Sequence, residues 1–333
     1  MNRLRILTWH VHGAYLESLA RVGHELVLPT LPDRPEGYGG AAGHEWPNVC
    51  EVPADEVRDE PIDLVLYQSQ RNWLVDRDRV LSPEQQRLPS IFLEHDPPRE
   101  SPTDTRHVVD DPNVLLVHVT AFNALMWDSG RTPVRVIEHG VAIPRGIDFR
   151  GGKPRGVTVV NHLAGRGRRL GADVFVRLRA AAPLDLLGMG SERLGGLGEV
   201  DHDELAGVMA EYRFFLHPVR YTSLGLALIE AMMVGLPVVG LATTELPTVI
   251  ENGVSGYVAT DPARLVEPMQ ALLGDRELAA RIGAAGREQA RARFGIERFV
   301  RDWDAAFREV AGRPAAVSAG SLPVADRSVE AVA

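Results

Sequence analysis

Short apolar runs alternate with segments of helical period along most of the chain. In the first half the runs are 4–9 (LRILTW), 25–29 (ELVLP), 62–68 (IDLVLYQ), 89–95 (PSIFLEH), 113–120 (NVLLVHVT) and 134–141 (VRVIEHGV). In the second half they are 156–161 (GVTVVN), 184–189 (LDLLGM), 213–219 (RFFLHPV), 237–241 (PVVGL) and 255–259 (SGYVA). Continuous apolar runs suit strands buried on both faces, and strands separated by helices pair in parallel. The pattern therefore predicts an α/β chain of parallel sheets covered by helices. A stretch bearing glycine, proline and basic residues, 142–156, separates the two series and reads as a linker. The expected organisation is a Rossmann-like domain over 1–145 and a second over 152–295. Beyond residue 261 the pattern is helical, and Ile296, Phe299, Trp303 and Phe307 recur at helical spacing, so the segment 296–312 must dock an apolar face. The last residues, 313–333, are rich in Ala, Ser, Val and Pro without a period and are expected to be disordered.

A length of 333 residues allows each domain its own core. The net charge of −9 removes general attraction to nucleic acid or anionic lipid. A single cysteine, Cys50, excludes an internal disulfide and a cysteine-rich metal site and fits a reducing compartment. The N-terminus runs straight into a strand, and no run reaches the length of a membrane span. The expectation is a cytoplasmic protein, with transient contact at a membrane surface left open.

Chemistry concentrates where apolar runs end. The strand RFFLHPV empties into RYTS before a helix expected to begin near Leu224. Ligands of open α/β sheets collect at that carboxyl edge, and a helix starting there offers unpaired N–H groups and a positive dipole end to a phosphate. Gly225 lets an anion approach. Glu230 follows among Ala227, Ile229, Ala231 and Val234, where an unpaired carboxylate costs several kcal/mol, so it should face a ligand or polar partner. The same residues fit plainer roles: Thr222 or Ser223 as a helix N-cap, and Glu230 exposed or tied to an arginine.

Three other turns carry candidates. Arg166, Arg168 and Arg169 lie between a strand and a helix expected near Gly171, where guanidinium groups suit a diphosphate or form a solvated basic turn. His95 and Asp96 end a strand and open into a polar loop, 97–105, containing Arg99. Gly188 and Gly190 form a GxG turn ahead of a helix capped by Asp203. His10 and His12 share a face, yet no third ligand completes a metal set, and no metal is expected.

The run from Arg213 to Gly256, with LHPV, SLGLALIEAMMVGLPVVG, LPTVIENG and SGYV, resembles the donor-binding region of family 4 retaining glycosyltransferases of the GT-B fold. Pro218, Leu224, Gly225, Glu230, Ala231, Gly235, Pro237 and Val238 occupy matching places. The resemblance implies two Rossmann-like domains facing across a cleft, with 296–312 crossing back to the first. It implies a nucleoside diphosphate sugar on the second domain, an unknown acceptor on the first, and retaining transfer without a metal. Glu230 would accept hydrogen bonds from the ribose hydroxyls, and Arg166 and Arg169, with Arg168 behind them, would grip the diphosphate. Thr222, Ser223, Leu224, Gly225 and Gly13 would surround the donor phosphates and sugar, while Gly188, Gly190 and Val200 would neighbour the base. His95 would contact the donor sugar, and Asp96 and Arg99 the acceptor. Two departures stand out: Thr222 replaces the family's first Glu, and Leu170 replaces its Lys. A GT-B epimerase or hydrolase, or a degenerate transferase serving as a scaffold, are the other readings.

Overall fold

The computed structural model describes residues 2–46 and 48–312; the tail expected to be disordered, 313–333, lies outside the described residues. Twelve described strands form two sheets, each parallel throughout. β1 (Arg5–Thr8), β2 (Glu25–Thr30), β3 (Val49–Pro53), β4 (Leu64–Tyr67), β5 (Ser90–Glu94), β6 (Val114–His118) and β7 (Val134–Val136) pair in the order β3-β2-β1-β4-β5-β6-β7. β8 (Lys153–Val159), β9 (Leu184–Leu187), β10 (Tyr212–His217), β11 (Val238–Leu241) and β12 (Gly256–Ala259) pair in the order β12-β11-β10-β8-β9.

The helices of the first unit are α1 (Gly13–Ala20), α2 (Arg77–Val80) and α3 (Ala121–Met126). Those that follow are α4 (Leu163–Arg166), α5 (Ala172–Arg179), α6 (His202–Met209), α7 (Leu226–Val234), α8 (Leu246–Val249), α9 (Val266–Gly274), α10 (Arg276–Phe294) and α11 (Ile296–Ala311). Among the described residues no helix is long and apolar enough to cross a membrane.

The continuous apolar runs have a direct cause. Along β1, β2 and β4, Ile6, Leu26, Leu28, Leu64 and Leu66 enter one core cluster, while Leu7, Val27, Val65 and Tyr67 enter another on the opposite face. The second sheet is likewise covered twice. α11 leaves the second unit and places Phe299, Trp303 and Phe307, all fully buried, in the cluster that contains Tyr15, Leu16 and Leu19 of α1. Each such aromatic contributes about 1.5–3 kcal/mol by leaving water. Trp303 also donates its indole N–H to the Tyr15 hydroxyl at 3.1 Å. The approach at α11's start requires glycine at 140, where a Cβ would lie 2.2 Å from Phe299 Cβ. The chain passes between the units twice, side by side, with Val141 donating to the Phe294 carbonyl at 2.9 Å.

Several sequence expectations need correction. β8 begins at Lys153, inside the segment read as a linker, because Tyr212 and Phe214 of β10 offer it a partner strand. Of 134–141 only Val134–Val136 is strand, β7 being an edge whose valines are exposed. β3 was not expected; its VCEVP mixes polar and apolar positions, since this edge strand buries only Val52 fully.

Strand order fixes where a ligand can sit. Connections run outward in opposite directions from β1 and β4 in the first sheet and from β8 and β10 in the second. At such switch points the loops diverge and leave a crevice beyond the strands' carboxyl ends.

Candidate functional site

The second sheet's crevice is flanked by the turns that follow β8 and β10. After β10 the chain runs through Pro218 and Tyr221 to Gly225, the N-cap of α7. The helix begins at Leu226, two residues later than expected, and neither Thr222 nor Ser223 caps it: no side chain hydrogen-bonds its first turn. Its leading N–H groups thus have no intrahelical acceptor. A Cβ at Gly225 would meet nothing within 4 Å, so the approach is open. Ser223 and Leu224 are buried and Thr222 is half-buried.

Glu230, one turn into α7, is 8% exposed and makes no hydrogen bond, and no arginine pairs with it. The His202 ring lies beside it, with Nε2 3.8 Å from Oε1. Burial raises the carboxyl's pKa, and His202 opposes that shift. Glu230 lines a cleft of about 550 Å³ together with Gly13, Gly188, Val200, Asn161 and His202. Gly188 has φ +122°, and a Cβ there would lie 2.8 Å from Asn161 Oδ1, so glycine keeps this wall thin. Gly190 does not line the cleft and instead backs His162, whose Nδ1 would be 2.9 Å from a Cβ. The helix bordering this wall starts at His202, with Asp201 rather than Asp203 at the N-cap position and no side-chain capping hydrogen bond. A hollow of about 570 Å³ beside Thr248 and Arg293 is a poorer candidate, because Glu138 and Glu245 already hold that arginine.

The arginine turn after β8 is tighter than expected: α4 and a 3-10 turn, Gly167–Leu170, precede α5. Gly171 allows it, with φ +82° and its Cβ position 1.9 Å from the Pro218 carbonyl oxygen. Arg168 donates to Asp173 at 2.8 Å, and Arg220 clamps the same carboxylate at 2.6 and 2.7 Å. Arg220's hydrogen bonds hold the Asp173 carboxyl down to about 2. Arg166 and Arg169 donate no side-chain hydrogen bond. Arg169 is half-buried, and burial, the Arg99 charge and then Arg166 lower its pKa while Asp96 opposes them. It thus senses groups of both domains.

On the first sheet the crevice lies beyond β1 and β4. His95, after β5, is half-buried, with its ring edge-on to His12 at 4.3 Å and to Tyr15 at 4.9 Å. Burial, reinforced by His12 and His139, holds its pKa well below the ordinary histidine value, so the ring is neutral. Asp96 pairs with Arg99 and accepts the Trp127 indole N–H on its backbone oxygen at 2.8 Å. The two walls meet where the Tyr221 hydroxyl donates to the Pro98 carbonyl at 2.8 Å.

The structure thus gathers Gly13, Gly188, Val200 and Glu230 on one cleft and leaves Arg168 committed to Asp173. Sequence reasoning missed Asn161, His202, Arg220, Tyr221 and Gln68. Tyr221 was the most visible of these, an aromatic in a loop at a strand's carboxyl end; the others become visible only through their partners in space. Among the described residues no three His, Cys, Asp or Glu side chains converge on a metal position.

The family model described as glycosyl transferases group 1 matches residues 158–275. An N-acetyl-alpha-D-glucosaminyl L-malate synthase of Bacillus anthracis is 30% identical over 110 residues, covering 32% of this chain and 29% of that protein. A D-inositol 3-phosphate glycosyltransferase of Catenulispora acidiphila is 36% identical over 121 residues, covering 34% and 28%. The chain's match therefore spans less than a third of either curated relative. Likeness in fold extends further. A sucrose-phosphate synthase from Thermosynechococcus elongatus superposes with TM-score 0.68 at 18% identity, covering 92% of this chain and 99% of that one. HepE of Anabaena, in complex with UDP and glucose, gives TM-score 0.67 at 15% identity, covering 92% and 100%. The chain has the GT-B architecture, and residues 158–275 of its second domain match the family described as glycosyl transferases group 1.

Proposed function

We propose that this chain is a retaining, metal-independent glycosyltransferase that takes a sugar from a nucleoside diphosphate sugar and transfers it to an acceptor hydroxyl. The observation that carries this reading is Glu230: a buried carboxylate without a hydrogen-bond partner on a cleft, a turn away from an open helix N-terminus. Two ribose hydroxyls would satisfy its oxygens. The diphosphate would lie on the leading N–H groups of α7 with Arg166 and Arg169 beside it. The UDP complex of the similarly folded HepE, and the sugar-transferring relatives of the second domain, support a nucleotide sugar as the donor.

In the proposed reaction the bond between the anomeric carbon and the diphosphate oxygen breaks, and the nucleoside diphosphate keeps the electron pair. Charge grows on that leaving group, so Arg166, Arg169 and the α7 terminus stabilise the transition state more than the ground state. The acceptor oxygen forms its new bond on the same face of the sugar and passes its proton to the departing phosphate oxygen. Those fixed positive groups take the place a divalent ion would have. His95, neutral, would accept or donate a hydrogen bond to the sugar without adding charge.

Incubation with UDP-, GDP- and ADP-sugars and a panel of acceptors, with NMR of the product's anomeric centre, tests the reading. Retained configuration and an unchanged rate in EDTA are expected; inversion, or loss of transfer restored by a divalent ion, would refute it.

A further inference from the structure

His95 is braced by a chain of hydrogen bonds that starts at a buried acid. Asp76 is 1% exposed and lies at the end of a single π-helical turn, Asn72–Asp76, a rare local form often found at functional sites. Its oxygens accept from the Tyr38 hydroxyl at 2.8 Å and from Asn72 Nδ2 at 3.0 Å, with Arg71 Nε at 3.6 Å. Asn72 Oδ1 accepts the backbone N–H of Gln68 at 3.3 Å. Gln68, which follows β4 at the first sheet's switch point and is 3% exposed, donates its amide to Thr8 Oγ1 at 2.8 Å and to the Trp9 carbonyl at 2.9 Å.

The orientation of that amide is forced. A backbone carbonyl can only accept, so the nitrogen must face Trp9 and the oxygen must face His95. His95 Nε2, 3.2 Å from Gln68 Oε1, is therefore the protonated nitrogen. We propose that Gln68 is a positioning residue that holds His95 as the Nε2–H tautomer, so that Nδ1, which has no hydrogen-bond partner in the structure, presents an acceptor to a sugar hydroxyl. This role rests on the transferase reading above. The charged or titratable groups around the ring are His12, at the start of α1, and His139, beyond β7, with the Tyr15 hydroxyl packed close by.

The test is ¹⁵N NMR of the histidine-labelled full chain without substrate at pH 7, with His95 assigned by the signals missing from His95→Asn. The proposal expects a protonated Nε2 and an unprotonated Nδ1. An Nδ1–H ring or an imidazolium overturns it. In Gln68→Met the two tautomers should mix, and turnover with the nucleotide sugar and acceptor that the wild type uses best should fall about tenfold, the loss of one hydrogen bond's worth of positioning. An unmixed Nε2–H ring in that variant, or mixed tautomers with unchanged turnover, overturns it too, and the wild-type spectrum decides alone should Gln68→Met not fold. Absence of turnover in the wild type with all of the UDP-, GDP- and ADP-sugars and acceptors of the panel would refute the transferase reading while leaving the tautomer to be read separately.

Discussion

The two walls of the cleft are built on opposite plans. On the first domain the ring of His95 is braced by Gln68, His12 and Tyr15, and behind Gln68 stand Asn72 and Asp76. On the second, Glu230, Arg166 and Arg169 make no side-chain hydrogen bond, and α7 begins without a side-chain cap. Protein interiors satisfy their polar groups, so the buried Glu230 carboxylate without a hydrogen bond is the group that calls for a polar partner, whereas Arg166 is exposed and Arg169 half-buried and both are free to meet an anion. The first wall presets geometry, and the second wall supplies unmet charge. Changes in the core beneath the first wall should disturb stability, changes at Gln68 should disturb the preset geometry and through it turnover, and changes on the second wall should disturb binding and turnover.

The largest effect expected is on stability. Trp303→Ala removes a fully buried indole from the joint between α11 and the first sheet and should destabilise the chain by about 3–5 kcal/mol, measured by denaturant unfolding. Nucleotide affinity of the molecules that remain folded should change little; a large loss would mean that the walls are not separable. Next, replacing Arg166 and Arg169 together by alanine should lower kcat by about 10²–10³-fold, the scale of losing preorganised charge stabilisation, with the melting temperature unmoved. An equal loss of thermal stability would make the turn structural. Smallest is a proton effect. Because burial raises the Glu230 pKa, the folded chain without ligand keeps a proton there above the ordinary carboxylate range. Its stability contribution therefore declines as pH rises from the unfolded value to the folded one. A nucleotide that hydrogen-bonds the carboxylate should expel that proton in this window, seen as proton release by calorimetry in buffers of different ionisation enthalpy. Binding that takes up protons there would contradict the assignment.

The fold was legible because strands buried on both faces leave continuous apolar runs, and the crossover helix because Phe299, Trp303 and Phe307 recur at helical spacing. Edges were not legible: β3 and β7 bury too little to leave a pattern. For the site, Glu230 was conspicuous as a carboxylate in an apolar helix, and its burial without an arginine partner is a property of the fold alone. The roles of the three arginines differ for a reason no local spacing contains. Asp173 captures Arg168 with the help of Arg220, which arrives from another strand. Gln68 was similarly silent, since its meaning lies in Trp9, Thr8 and His95, brought together only by the order of β1, β4 and β5.

The central claim is that Glu230 holds the nucleotide. Calorimetry with whichever of UDP, GDP or ADP the wild-type chain binds most tightly, repeated on Glu230→Ala, tests it most directly. The account predicts affinity weaker by about 10- to 100-fold, from losing hydrogen bonds to a charged acceptor, in a ligand-free chain that melts no lower than wild type because a buried carboxylate that makes no hydrogen bond has been removed. Unchanged affinity, or a loss of affinity that only follows a loss of stability, would contradict it.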